Sequence, residues 1–423
     1  MTLDPFASRD DLAHLHQLAR AERVGPDALL ALALTAVLAA TEPTVTTSVG
    51  VGGRGSLNYL VALVGPSGAG KGTVEAVSAE AVSILDHNGM PVATPEYPIG
   101  SGEGMATAYR PRGTAEDEPH TRTRATFNAP EIDRITAISS RTGSTLTAAL
   151  RQAWSGETLG AQNASAENTS VVPRHSYRWC AVLGVQPRRA GALLAEADGG
   201  LPQRVLWAPV GDPAAPDRKP EHPGPLTVRL PKLAGPVAMN AHQSILTEYD
   251  TAQLDRLRTP LDADAIDGHT RYVRLKTAAA LALMAGRTVI SEDDWTVAGA
   301  IVDRSTATRE EVRTILDTGQ RDALREKARE RVTVALDAED HRETEQLQRV
   351  RSRILAALDK QGEMTAAEVR RSIRYELRDR AEIVLAAMTN AGEILARNYG
   401  DGPVYSLSAA CTVHDPYTLQ NAA

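Results

Sequence analysis

The sequence predicts an α/β protein: a parallel sheet with helices on both faces, a mostly helical stretch after it, and a small C-terminal unit. Three observations carry this. Apolar runs at residues 57–64 and 178–185 alternate with helical segments, the pattern of βα units. The first run leads directly into a glycine-rich turn and then a helix. Residues 243–335 read as almost all helix, and residues 347–408 form a separate set of short elements.

Taken in order, residues 8–41 are expected to be helical. Asp10 or Asp11 would cap a first helix, and Gly25-Pro26-Asp27 would break the chain and start a second. That second helix holds the longest apolar run, residues 28–40, too short to span a bilayer and read as a buried brace. Residues 57–64 suit a buried strand. Residues 73–85 follow as a helix with Val74, Val77, Ala81 and Ile84 on one face. Residues 86–124 are rich in Gly, Pro, Thr and charge, with a brief helix at 105–109, an exposed loop at 112–122 and a short strand at 124–127. Residues 132–153 read as helical segments broken near Gly143, then a polar stretch at 155–170 and a strand at 178–185. Residues 211–236 read as a Pro-rich loop and 306–346 as a charged, solvated helical connector. The expected domains are 1–56, an N-terminal helical segment; 57–242, the core; 243–346, a helical bundle with its connector; and 347–410, the C-terminal domain.

The chain has 423 residues, enough for two or three domains. Its formal net charge of −7 excludes a polycationic nucleic-acid coat, so any nucleic-acid contact must be local. Cys180 and Cys411 stand far apart and form neither a disulfide framework nor a Cys-x-x-Cys metal pattern, which reads as a reducing cytoplasm. His14 and His16, two apart on a helix, face different ways and are not expected to pair on a metal. Acidic residues close to the start argue against a signal peptide. The expected location is cytoplasmic, with no membrane partner.

The turn after the first strand is Gly65, Pro66, Ser67, Gly68, Ala69, Gly70, Lys71, Gly72, Thr73. Its glycines let the backbone curl so that successive N–H groups face one anion, and the next helix adds its positive end. This is a phosphate-binding loop (P-loop), with Lys71 on the β and γ phosphates of ATP. The usual pattern ends Gly-Lys-Ser/Thr; here Gly72 holds the hydroxyl position and Thr73 comes one residue late. Thr73 is the candidate Mg2+ ligand, with water as the substitute. The Gly-Lys-Gly-Thr ending looks like that of adenylate kinases, but no arginine-rich lid stands at the expected place.

A P-loop ATPase needs a carboxylate near a neighbouring strand end to position metal or polarise water. In Ala125-Thr-Phe-Asn-Ala-Pro-Glu-Ile-Asp133, Glu131 is the candidate base and Asp133 the second choice. Gln186 follows the strand ending at Val185 and is a candidate γ-phosphate sensor. Arg204 precedes the short apolar run 205–207 and is a candidate arginine finger, able to stabilise transition-state charge in a neighbouring subunit. Arg188 and Arg189 are weaker candidates.

Residues 347–359 form an amphipathic helix, and Thr365-Ala-Ala-Glu368 is a capping box opening a second. A third, at about 379–390, carries Ile383, Val384 and Met388. Short strands at 393–397 and 404–407 flank Asp401-Gly402. Three helices and a hairpin look like a winged helix, a module that commonly puts its third helix in a DNA major groove. Residues 346–398 hold ten Lys or Arg against seven Asp or Glu. Arg370, Arg371, Arg374, Arg378 and Arg380 are the candidate DNA-phosphate contacts.

The order of these motifs resembles the RecA/DnaB-like helicase-type ATPases of actinobacterial phages, plasmids and integrative elements, often described as primase-helicase proteins. Gly65–Thr73, Gly100-Ser-Gly-Glu-Gly104, Val185-Gln-Pro187 and Gly200-Leu-Pro-Gln-Arg-Val-Leu-Trp207 carry the resemblance, with residues 272–305 as a weaker fifth stretch that includes Ile290-Ser-Glu-Asp-Asp-Trp295. It implies a RecA-like P-loop core with helical extensions and a C-terminal winged helix. It further implies a homo-oligomer, such as a hexameric ring, working with DNA and a primase or other replication proteins. By the family pattern Lys71 contacts phosphate, Glu131 is the Walker-B acid, Gln186 the sensor and Arg204 the finger. Gly72 and Pro130 depart from that pattern and put metal coordination in question. The reading is an ATP-dependent DNA replication protein, helicase or origin-opening initiator. The alternatives are a nucleotide or small-molecule kinase and an ATP-switched DNA-binding regulator.

Overall fold

The structure, a computed structural model, describes residues 3–110, 122–133, 135, 145–161, 170–197, 199–233, 235–259, 268–400 and 402–408. The expected loop at 112–122 (but for residue 122), the helix break near Gly143, the middle of the polar stretch 155–170, and Cys411 lie outside these residues. The chain divides into two compact units, Met1–Gln320 and Arg321–Ala423.

The strands of the first unit are β1 (Val45–Thr47), β2 (Gly55–Ser56), β3 (Tyr59–Val64), β4 (Val82–Leu85), β5 (Glu96–Pro98), β6 (Arg124–Ala129), β7 (Leu159–Ala161), β8 (Ser170–Val172), β9 (Arg178–Val185), β10 (Leu206–Pro209), β11 (Leu226–Arg229), β12 (Val237–Ala241) and β13 (Val289–Ile290). The central sheet has the order β10-β3-β9-β6-β5 and every pairing in it is parallel. β3 and β9 are buried along their whole length, as near-continuous apolar runs in a covered parallel sheet should be. The carboxyl ends of all five strands therefore share one edge, where open α/β sheets bind ligands.

The helix Pro26–Ala39 packs on β3, β9 and β10 and against the helix Lys71–Ala81. Apolar on nearly every side, it is buried almost throughout, as the expected brace requires. A second sheet, β13-β12-β1-β2, joins β1 to β12 and β12 to β13 in parallel. Its strands come from residues expected in the 1–56, 57–242 and 243–346 segments, and all three contribute to the first unit.

Several elements differ from expectation. The helix after the glycine-rich turn ends at Ala81, and Val82–Leu85 is strand β4, paired in parallel with β11. Val82 and Ile84 alternate with less buried neighbours, so β-branched residues meet a partner strand instead of extending the helix. β11 begins inside the stretch read as a Pro-rich loop, just after Pro225. β7 and β8 pair antiparallel at the ends of the polar stretch. The long helix Glu292–Gln361 is continuous, whereas a connector and a separate helix were expected; no proline interrupts it. Its residues 320–345 are exposed, as a charged solvated stretch should be.

In the second unit the capping box is formed: Thr365 and Glu368 satisfy each other's backbone N–H. The helix Ala366–Ser372, a 3₁₀ turn Tyr375–Arg380 and the helix Ala381–Asn390 follow. Strand β14 (Met364–Thr365), unforeseen, pairs with β16 (Gly402–Leu407), which also pairs with β15 (Ile394–Tyr399); both pairings are antiparallel. Val350, Ile354, Leu358, Val384, Leu385 and Met388 build the core of this unit. Ile383, placed with Val384 and Met388 by sequence, is instead 64% exposed. Among the described residues no helix is long and apolar enough to cross a membrane.

Candidate functional site

The glycine-rich turn sits at the carboxyl end of β3. Gly65 N–H donates to the Val185 carbonyl at 3.0 Å, which ties the loop to the end of β9. Gly68 and Gly70 have φ of 77° and 89°, left-handed values that turn the chain tightly into the helix starting at Lys71. Residues 66–69 are exposed, so the loop and the positive end of an 11-residue helix face solvent together.

Lys71 Nζ donates to the carbonyls of Gly65 at 2.8 Å and Pro66 at 2.9 Å, closing over the loop. Partial burial lowers its pKa, and the negative charge of Glu131 works against that fall. Glu131 is thus within electrostatic reach of Lys71, although 60 residues of sequence separate them. A Cβ built on Gly70 would lie 3.8 Å from both Thr73 Cβ and Thr73 Oγ1, so the Thr73 side chain stands beside the end of the loop. A Cβ on Gly72 would meet nothing within 4 Å, so packing does not impose glycine at the usual hydroxyl position.

The acidic side is built from β6 and the turn after it. Glu131 is exposed, while Asp133 forms an ion pair with Arg189. That pair leaves Glu131 as the more available carboxylate. Gly184 of β9 passes so close to Pro130 that a Cβ on it would stand 1.9 Å from the Pro130 carbonyl oxygen. Asn128, at the end of β6, donates from Nδ2 to Glu75 Oε2 at 3.0 Å and Glu96 Oε1 at 3.2 Å. Burial raises the pKa of Glu75; the Asn128 hydrogen bond opposes the rise and the charge of Glu96 adds to it.

Gln186 is half-buried and directly follows Val185, whose cross-strand partner is Val64. It therefore stands beside Gly65. Lys71, Glu131 and Gln186 come together at the carboxyl edge of β3, β6 and β9.

Arg204 does not join them. It ends a 3₁₀ turn just before β10, and Leu206 pairs with Val61, so Arg204 lies at the amino edge of the sheet. Its Nη1 donates to the Gly199 carbonyl at 2.8 Å and its guanidinium lies 5.4 Å from the Trp154 ring centre. Burial lowers its pKa, and the nearby charge of Arg151 adds to the fall. A finger role for Arg204 therefore requires another copy of the chain.

In the second unit Arg370 pairs with Asp379 at 3.2 Å, and Arg371 Nε donates to the Ala367 carbonyl at 3.2 Å. Arg378 Nε donates to the Ile373 carbonyl at 3.1 Å, with its guanidinium 5.5 Å from the Tyr375 ring centre. Arg374 caps the start of the 3₁₀ turn and Arg380 is its last residue. Arg370, Arg371 and Arg374 are exposed; Arg378 and Arg380 are half-buried.

Sequence reasoning did not single out Glu75, Glu96, Asn128 or Gly184. Only the polar Asn128 between buried Phe127 and Ala129 offered a signal, one alternation step from a strand end. Among the described residues no group of three or more His, Cys, Asp or Glu could hold a metal. Magnesium does not need such a cage, since it commonly takes one or two protein oxygens and completes its shell with phosphate and water. The Thr73 hydroxyl fits that limited role. Neither protein-family models nor curated proteins match the chain.

Proposed function

We propose that the chain is a P-loop ATPase that couples ATP hydrolysis to work on DNA. The carrying observation is the loop at the carboxyl end of β3: left-handed Gly68 and Gly70, a helix beginning at Lys71, and Glu131 close enough to act on the charge of Lys71. Backbone N–H groups and the helix end would cradle the phosphates, with Lys71 released from the Gly65 and Pro66 carbonyls to reach them. Glu131 would accept a proton from the attacking water, and Gln186, beside Gly65, would orient that water or the γ phosphate. Arg204 would act from one copy on the site of the next, within a homo-oligomer.

Support for DNA as the partner comes from the second unit. Three helices and a three-stranded antiparallel sheet suit a winged helix, and Arg370, Arg371 and Arg374 offer exposed cations. Helicase or origin-opening initiator is the preferred reading. The test is ATP hydrolysis with and without single-stranded DNA, for the natural chain and Lys71→Ala. DNA-stimulated phosphate release that disappears in Lys71→Ala supports the reading. Turnover that survives the substitution overturns it.

One observation favours a second reading. Gly72 supplies no hydroxyl at the usual magnesium position, which suits a protein that binds ATP as an assembly switch and turns it over slowly. ATP binding with DNA-dependent assembly, but without phosphate release, would select that reading.

A further inference from the structure

Residues 321–343 of the long helix Glu292–Gln361 belong to the second unit, run about 33 Å and are exposed on every side. A helix in a protein draws most of its stability from an apolar face packed on another element. Here no residue is even half-buried. The charges explain a solvated helix, but not the large apolar side chains left in water: Leu324 is 68% exposed, Val332 60% and Leu336 57%. Scattered singly, such residues would need no explanation. These belong to one stripe.

Arg321, Arg325, Ala328, Val332, Leu336, Glu339 and Glu343 follow one another at steps of four, three, four, four, three and four residues. At about 100° per residue they fall within about 80° of the helix surface. Leu324 borders this stripe one turn before Ala328, and Val334 stands apart on the other side of the helix. The middle of the stripe is apolar, one end is basic and the other is acidic.

The steps read the same in both directions from Val332. Two copies laid antiparallel about that residue would set Val332 on Val332, Ala328 opposite Leu336, Arg325 opposite Glu339 and Arg321 opposite Glu343. Every position then meets its complement. A parallel pair would set arginine on arginine and glutamate on glutamate, and charges beside a helix seam reject such an orientation. The neighbouring charges agree: residues 321–331 hold five Lys or Arg against three Asp or Glu, and residues 333–343 hold one against four. The helix does little for these groups by itself. Arg321 and Arg325 are like charges one turn apart, as are Glu339 and Glu343, an arrangement that destabilises an isolated helix. Arg325 meets Asp322 at 3.7 Å, but between two largely exposed side chains such a pair counts for little.

We infer that residues 321–343 pair antiparallel with the same residues of a second copy of the chain, giving a dimer closed by a two-fold axis at Val332. The inference rests on the second unit and does not depend on the nucleotide site.

The test uses the full-length chain in a Cys411→Ser background, without nucleotide; Cys180 is buried and stays. Ala328→Cys and Leu336→Cys proteins are prepared separately. Each alone is expected to form little interchain disulfide under mild oxidation, and an equimolar mixture to form it readily, because only the mixture sets two thiols opposite each other. Arg321→Glu with Arg325→Glu, added to both cysteine proteins, is expected to slow that linking about tenfold or more. Adding Glu339→Arg with Glu343→Arg as well reverses every charge of the stripe and should restore the linking. All six side chains are exposed, and that restoration separates a lost contact from a lost fold. Either cysteine protein linking to itself as fast as in the mixture would show a parallel pair or none, and overturns the inference. So does linking that ignores the charge changes. A natural chain that sediments as a monomer overturns it too, and leaves the stripe to another part of the chain or to a different protein.

Discussion

Gly184 of β9 lies against the backbone of Pro130, with room for hydrogen and not for a methyl group: a Cβ there would stand 1.9 Å from the Pro130 carbonyl oxygen. Pro130 immediately precedes Glu131, so this contact sets the height of the acidic turn over the sheet. Gly184→Ala is expected to push that turn away, at a cost of about 1–3 kcal/mol of stability. Turnover should fall roughly tenfold or more through misplacement of Glu131. Nucleotide affinity should survive, because the loop itself is untouched. Thermal melting, nucleotide titration and phosphate release on one preparation check all three; unchanged turnover would refute the positioning argument.

The two acids of the turn should separate cleanly. Glu131→Gln is expected to lower turnover by about a hundredfold or more with ATP still bound, the usual effect of losing a general base. Asp133→Asn breaks only a largely exposed pair with Arg189 and should cost less than about 1 kcal/mol. A larger kinetic loss in Asp133→Asn than in Glu131→Gln would reverse the assignment.

Gly72→Ser tests the missing hydroxyl directly. Nothing within 4 Å obstructs a side chain there, and the position lies inside the helix Lys71–Ala81. Replacing a helical glycine should raise stability by about 0.5 kcal/mol. Turnover should rise, and the magnesium concentration for half-maximal rate should fall. A rate that ignores the new hydroxyl would mean that Thr73, or water, already fills the role.

Arg204 and Lys71 occupy opposite edges of one sheet, so cooperation between them must be between copies. Lys71→Ala and Arg204→Ala proteins, each inactive alone, are expected to recover part of the turnover when mixed, since some mixed interfaces pair an intact Lys71 with an intact Arg204. No recovery would reduce Arg204 to its packing on Trp154 and its bond to Gly199.

Asp294 ties three parts of the first unit together. It accepts from Arg9 Nη1 at 3.1 Å, from Arg287 Nη1 and Nη2, each at 2.7 Å, and from the Ser291 backbone N–H at 2.9 Å. Burial opposes ionisation, but the hydrogen bonds from Arg287 and Ser291 and the Arg287 charge outweigh it and hold the carboxyl below its ordinary value of 3.8. A depressed folded-state value means that the stabilisation is present above about pH 3.8 and is lost as pH falls through the folded value. Asp294→Asn should cost about 1.5–3 kcal/mol at neutral pH, because it removes the charge-assisted bonds of the half-buried Arg9 and Arg287. The melting gap between the two proteins should narrow as pH drops towards 3. A gap independent of pH would contradict the ionised role.

Where neighbours in sequence are neighbours in space, this chain could be read directly. The strand, turn and helix around Gly65–Thr73 form one continuous segment. So do the Thr365 capping box and the β15–β16 hairpin, and all of them depend on local backbone preference and periodicity. The apolar runs at β3 and β9 were equally plain, since strands buried on both faces need an unbroken row of apolar residues. Tertiary structure alone decided the rest. β1, β12 and β13 are two to five residues long and pair across about 50 to 190 positions, so no periodicity could reveal them. It alone brought Glu131 near Lys71, joined Asn128 to Glu75 and Glu96, and closed Pro130 over Gly184. It also carried Arg204 to the far edge, because parallel strands send the starts and ends of their segments to opposite sides of the sheet. Sequence determined that a strand, a glycine-rich turn and a helix should follow one another at Gly65–Thr73; the order β10-β3-β9-β6-β5 decided which side chains stand around that turn.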